Sequence, residues 1–166
     1  PGPGVGGHCI PIDPKYLSFK TRQIGQPVRF VELAQEINNS MPNYVISRIS
    51  ELMNKKEILL KNSKILLLGV AYKKDIGDTR ESPAIDIIES LLDKSVEVSF
   101  YDPYVDELKV NKDSIFKEQD LEGISNYDMV IIHTPHTSFH NIDFENIKSL
   151  IFDTTGSFTI SNAERI

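Results

Sequence analysis

The sequence predicts an α/β protein: a doubly wound parallel sheet preceded by a helical segment. Three observations carry that expectation. Short apolar runs recur at residues 64–70, 96–101, 128–133 and 150–153, as in strands buried on both faces. A stretch with helical spacing, residues 83–92, separates the first two runs, and strands alternating with helices build parallel sheets. Before Ser63 the texture differs, with apolar residues recurring at three- and four-residue steps. The chain therefore divides into residues 1–58, a glycine-rich loop with helices, and residues 59–166, the sheet.

Residues 15–24 read as a short helix that stops at Gly25, with Pro27 just beyond. Phe30, Leu33, Ala34, Ile37, Met41, Tyr44, Val45, Ile49 and Leu52 then form one apolar stripe. Pro42 interrupts it. Either Ser40 caps a second helix with Pro42 in its first turn, or one long helix carries the proline. A stripe of that length on so small a chain needs cover, and a second copy, giving a homodimer, is the expected cover. Ser82 supplies an N-cap and Pro83 a first helical position for the helix at 83–92. Ligands of doubly wound sheets bind beyond the carboxyl ends of the strands. That places residues 71–80 and the loops after Tyr101, His133 and Asp153 along one rim.

The 166 residues, 40% of them hydrophobic, suffice for one ordinary domain with its own core. A formal charge of −6 argues against nucleic acid or an anionic membrane surface as partner. A small anionic ligand stays compatible, because a few local cations can serve it. No apolar run reaches the length of a membrane span. One cysteine makes no internal disulfide, so a reducing cytoplasm is the expected compartment.

That cysteine, Cys9, lies in Pro-Gly-Pro-Gly-Val-Gly-Gly-His-Cys-Ile-Pro-Ile-Asp-Pro. A lone cysteine is ordinarily a small buried hydrophobe, but a core position is not normally flanked by Gly-Gly-His and Pro-Ile-Asp-Pro. Glycines let a backbone approach a ligand closely, and Asp13 follows near enough to share one small site with the sulfur. The pattern suggests covalent chemistry. His8 reads as structural.

A second motif, Gly69-Val-Ala-Tyr-Lys-Lys-Asp-Ile-Gly-Asp-Thr-Arg-Glu-Ser-Pro, stands where a dinucleotide fold carries its glycine fingerprint, yet it is not G-x-G-x-x-G. Lys73, Lys74 and Arg80, gathered just before a helix N-terminus, suit phosphate oxygens. They suit a solvated charged turn equally well. His133, His136 and His140 have spacings that evoke metal ligands. Pro135 disfavours a continuous helix there and no cysteine lies nearby, so no metal is assigned.

Taken together, the two motifs resemble those of the UDP-glucose/GDP-mannose dehydrogenase family, in the same order and spacing over essentially the whole chain. The Gly-Gly-His-Cys-Ile-Pro-Ile-Asp-Pro version is most similar to the branch that oxidises UDP-N-acetylhexosamines, UDP-N-acetylglucosamine before UDP-N-acetylmannosamine or UDP-glucose. The resemblance implies a Rossmann-like UDP-sugar-binding domain behind a helical dimerisation segment. It implies the last part of an enzyme whose NAD-binding portion and catalytic lysine and asparagine precede this stretch, so the 166 residues alone are expected to be inactive. It implies NAD as cofactor and two successive hydride transfers from the sugar's C6. Cys9 is implied as the nucleophile passing through a thioester, and Asp13 as the carboxylate serving the hydrolytic water. Residues 1–6, with Gly2, Gly4, Val5 and Gly6 among them, match the backbone stretch lining the sugar nucleotide. Tyr72 and Lys73 match substrate contacts, and Arg80 matches a contact to the cofactor pyrophosphate. The stretch Asp153-Thr-Thr-Gly departs from the UDP-glucose branch, which carries an arginine there.

Overall fold

A computed structural model describes residues 2–111 and 113–166. Five parallel strands form the sheet: β1 (Lys64–Leu68), β2 (Glu97–Tyr101), β5 (Met129–Ile132), β6 (Leu150–Asp153) and β7 (Ala163–Arg165). Their spatial order is β2-β1-β5-β6-β7. The chain leaves β1 toward one edge and returns past it to build the other, so the order reverses between β1 and β5. Register there pairs Leu66 with Val130 and Leu68 with Ile132.

Alternate residues of the central strands feed two separate cores. Ile65, Leu67, Met129, Ile131 and Phe152 join one of them. Leu66, Leu68, Val130, Ile132 and Ile151 join the other. Burial on both faces explains why the strands read as unbroken apolar runs.

The first core is closed by α3 (Pro83–Asp93) and by the second half of α2 (Arg29–Lys55). Ser82 caps α3 as expected: its hydroxyl accepts from the Ala84 amide at 3.3 Å and donates to the Val70 carbonyl at 2.8 Å. Helix α2 is one rod that carries Pro42 in its interior. Val45, Ile46, Ile49, Leu52 and Met53 bury its second half in the core shared with α3 and one face of the sheet. This rod therefore belongs partly to the sheet's own core. Its first half exposes Phe30, Leu33 and Ile37. Helix α1 (Asp13–Gln23) begins two residues earlier than the sequence indicates.

Helices do not supply every crossover. Between β2 and β5 the chain makes an antiparallel hairpin, β3 (Glu107–Val110) with β4 (Asp113–Phe116). Leu108 and Val110 alternate inward into the first core. Beyond β5, 3-10 turns at Thr137–Asn141 and Phe144–Asn146 cover the opposite face with Phe139, Phe144 and Ile147. Among the described residues no helix is long and apolar enough to cross a membrane.

One glycine fixes the geometry at the point of reversal. Gly69 has φ +78°, and a Cβ there would sit 2.2 Å from the Thr134 carbonyl oxygen. Thr134, in the loop just beyond β5, fills the space a side chain would need. Gly69→Ala should therefore lower the unfolding free energy by about 2–4 kcal/mol, from left-handed strain and displaced backbone together. Urea denaturation measures this, and an unchanged midpoint would mean the two loops do not meet so closely.

Candidate active site at the carboxyl edge of the sheet

The crevice of a doubly wound sheet lies where strand order reverses, here beyond the carboxyl ends of β1 and β5. Gly69 turns the chain away from β1, which aims two successive amides at the end of β2. Asp102, fully buried, receives both: Val70 N–H at 2.8 Å and Ala71 N–H at 3.2 Å on one carboxylate oxygen. The Tyr104 amide donates to the other at 2.8 Å. The first oxygen also meets His136 Nε2 at 2.9 Å. Burial by itself raises this carboxyl, but the bonds from His136, Val70 and Tyr104 outweigh it and hold the group below its ordinary range.

The partners of His136 fix its tautomer. Its Nδ1 accepts from the Asp75 amide at 2.9 Å, so the ring proton resides on Nε2 and is donated to Asp102. His133 is fixed by the same reasoning. Thr134 Oγ1 donates to the Ala71 carbonyl at 2.5 Å and must therefore accept from His133 Nδ1 at 2.9 Å. His133 Nε2 is then a buried lone pair without a partner among the described residues. Burial pushes this imidazole down to about 4. His140 stands elsewhere, against Phe158 at 4.9 Å between ring centroids. The three histidines thus serve three separate environments. Among the described residues no three metal-ligating side chains converge.

The glycine loop is docked on this rim. Gly7 N–H donates to the Arg80 carbonyl at 3.0 Å, and the Val5 amide donates to Asn38 Oδ1 of α2 at 2.9 Å. A Cβ on Gly6 would lie 2.4 Å from the Glu81 carbonyl oxygen, and one on Gly7 would lie 2.8 Å from the Tyr72 ring. Only bare backbone fits. Gly4 packs against Pro83, whereas Gly2 has no neighbour within 4 Å of its Cβ position. Pro1, at the start of the matched stretch, lies outside the described residues.

Cys9 is exposed, two residues beyond Gly7. Its carbonyl accepts from the Ile12 amide at 3.1 Å and the Asp13 amide at 2.8 Å. Thiol and carboxylate thus belong to one turn, with Asp13 exposed as the first residue of α1. Val5 faces an apolar groove of about 330 Å³ that runs past Ile10, Pro14, Val31 and Ala34. Tyr72 is half-buried under the glycines and Lys73 is exposed. Arg80 turns one edge of its guanidinium to Asp78, with Nη2 at 2.6 Å and Nε at 3.0 Å. That fork and the Arg80 amide hold the Asp78 carboxyl down to about 2. The structure therefore gathers residues 4–9, Tyr72 and Arg80 at one rim and leaves Gly2 apart.

Two portions of the chain match the models of one family. Residues 66–162 match its UDP binding domain, and residues 1–40 match its central domain. The chain belongs to the UDP-glucose/GDP-mannose dehydrogenase family. A UDP-N-acetyl-D-mannosamine dehydrogenase of Methanocaldococcus jannaschii is 37% identical over 90% of this chain and 32% of its own length. A UDP-N-acetyl-D-glucosamine 6-dehydrogenase of Salmonella typhi is 34% identical over 87% of this chain and 34% of its own. A solved UDP-D-ManNAc dehydrogenase from Pyrococcus horikoshii superposes with a TM-score of 0.81 at 30% identity, covering 99% of this chain and 38% of that one. The chain thus spans about a third of the length of the curated relatives it matches.

Sequence reasoning placed the rim but missed what organises it. Asp102, Thr134, Asp75 and Thr137 drew no attention, and His136 was weighed only as a metal ligand. The available signal was Asp102-Pro103 at a strand end, where such a sheet carries a carboxylate facing the crevice.

His133 gives this site a pH signature. The unfolded chain takes a proton on this residue from about pH 6.5 downward, whereas the folded chain resists until about pH 4. Unfolding gains the proton, so stability falls as pH drops through that window. The loss should reach about 3 kcal/mol by pH 4. Unfolding free energies measured across the window should show this, and His133→Gln should remove that component. An unchanged slope in the variant would mean the ring is not held neutral.

Proposed function

We propose that the chain is the sugar-nucleotide half of an enzyme that oxidises the C6 alcohol of a UDP-N-acetylhexosamine to the acid. The observation that carries this is the docking of the glycine loop: the Gly7–Arg80 bond of 3.0 Å presents an exposed thiol at the rim that bears Tyr72 and Lys73. The acetamido sugar is either the gluco configuration favoured by the Cys9 motif or the manno configuration named for the relative at 37% identity. The proposed division is residues 1–58 for the cysteine loop and helical region, and 59–166 for the nucleotide.

In this reading Lys73, a point charge on a flexible stem, neutralises phosphate oxygens, and Tyr72 with the backbone of Gly4, Val5 and Gly6 lines the sugar nucleotide. The cofactor is NAD, which when bound supplies the hydride acceptor. Arg80, two-thirds exposed and engaged by Asp78 along one edge, fits a pyrophosphate approaching from solvent. Cys9 as thiolate adds to the C6 aldehyde, and the adduct stays attached to the protein until the carbon is oxidised to a thioester. Asp13, one turn away, orients the water that cleaves it and takes up its proton. Covalent attachment keeps a reactive aldehyde from escaping between the two oxidations.

The exposed apolar surface of Ile24, Phe30, Leu33 and Ile37, with Phe30 at 89% accessibility, supports a homodimer. Sedimentation should give twice the chain mass at micromolar concentration, and a monomer there would remove that part of the reading.

The 166 residues hold no dinucleotide fingerprint, so with NAD and either UDP-sugar they should bind nucleotide and produce no NADH. In the intact enzyme, Cys9→Ala should reduce acid formation by at least about a thousandfold. Acid accumulating at the unaltered rate would show that no thioester forms on Cys9. Supplying the two UDP-N-acetylhexosamines in parallel identifies the preferred configuration by its larger kcat/KM.

A further inference from the structure

Asp75 is a non-glycine residue held at φ +62° in the middle of the rim loop. Asp tolerates this left-handed backbone better than most residues, and here bonds from outside the loop hold it there. Those bonds come from beyond β5, more than sixty residues away in sequence. The Asp75 amide donates to His136 Nδ1 at 2.9 Å. Its carboxylate accepts from the Thr137 amide at 2.8 Å and from the Thr137 hydroxyl at 2.6 Å. These bonds hold the Asp75 carboxyl below its usual range.

We propose that His136 and Thr137 are positioning residues that clasp Asp75 and so hold Lys73 and Lys74 in place to receive phosphate. The proposal rests on the reading of Lys73 as a phosphate contact. His136 is suited to the task because it cannot move independently. It is fully buried, donates to Asp102 at 2.9 Å, and its ring packs on Tyr104 and edge-on to Phe139 at 5.1 and 5.3 Å between centroids. The same Asp102 carboxylate fixes the start of the loop through the Val70 and Ala71 amides. At the far end, the Tyr72 amide donates to the Asp78 carbonyl at 2.9 Å and closes the loop on itself. Lys73 and Lys74 lie between the fixed points. Both are exposed, and neither joins an ion pair among the described residues. A flexible ammonium on a prefixed backbone loses less freedom when it meets an anion, which strengthens binding without a new contact.

A spacer role for the ring and a hydrogen-bonding role separate by substitution. His136→Gln loses the ring but can keep both bonds, since the amide oxygen and nitrogen are spaced much like the two ring nitrogens. His136→Phe keeps the ring and loses both bonds. Thr137→Val, at an exposed position, removes only the hydroxyl bond. Two readouts serve on the same protein: hydrogen exchange of the Asp75 amide, and UDP affinity by calorimetry. The Phe variant should lose about tenfold in Asp75 protection and about fivefold in UDP affinity, with the Gln variant close to the parent and Thr137→Val losing about threefold in affinity. Lys73→Ala is the control and should lose about tenfold or more. If Lys73→Ala binds UDP unchanged, the phosphate reading itself fails. If Lys73→Ala is weakened while His136→Phe and Thr137→Val bind as the parent does, the phosphate reading stands and the clasp is overturned. Should the Phe variant fail to fold in a thermal melt, Thr137→Val decides alone, and unchanged affinity there sinks the proposal.

Discussion

A single carboxylate ties the rim together. Asp102 directly follows β2, yet its bonds reach the loop after β1 through Val70 and Ala71, and the loop after β5 through His136. Taking a carboxylate wholly out of water costs several kcal/mol unless donors replace the lost hydration. Here four donors do so, counting the Tyr104 amide. Withdrawing any of them would leave part of a buried charge uncompensated, so three loops from three strands behave as one piece. In dinucleotide-binding sheets an acidic residue at a comparable strand end faces outward and reads a ribose hydroxyl. In this chain that position faces inward and is spent on the scaffold. The three loops are thereby tied at one point, and in the proposed reading recognition falls to the cations of the loop that Asp102 anchors.

The second constraint is contact between backbones. Gly69 meets Thr134, Gly6 meets Glu81, and Gly7 meets the Tyr72 ring, each at distances a Cβ would violate. Glycine supplies absence of bulk at all three, and positive φ as well at Gly69 and Gly7. The first contact sets the turn out of β1 that points two amides at Asp102. The other two bring the cysteine loop down onto the loop that follows that turn. Thiol and lysine come from stretches about sixty residues apart, and these missing side chains are what let the stretches share an edge.

Much of this was legible in the sequence. Four strands and the capped helix α3 announced themselves through apolar runs buried on both faces and through Ser82-Pro83. Pro42 is compatible with two helices or one, and the structure carries it inside one unbroken helix whose second half is buried. The β3–β4 hairpin turns Leu108 and Val110 inward on one strand and half-buries Ile115 on the other, too short a pattern for a periodic signal. The 3-10 turns that cover the second face have no period in sequence at all and depend on single phenylalanines. Within the site, chemical singularity was legible: one cysteine, clustered cations, unusual glycines. The polar hub was not, because an inward carboxylate satisfied by amides from other strands leaves no local pattern. Its partners exist only once the sheet has formed.

The cysteine loop is bonded on one side to α2, through Val5 and Asn38, and on the other to the sheet rim, through Gly7 and Arg80. A loop attached to two bodies holds its cargo steady only if those bodies do not shift against each other. Here the two are joined by packing, because Val45, Ile49 and Leu52 of α2 lie in the same core as Ile87 and Leu91 of α3. Interiors packed to crystal-like density transmit displacement rather than absorb it. In the proposed reading, the burial of the second half of α2 is thus a condition for chemistry at Cys9. A thiol that captured one carbon of a bound sugar, as proposed, would require ångström-level placement relative to the nucleotide's phosphates. The core supplies that placement from a distance, without any side chain of its own in the site.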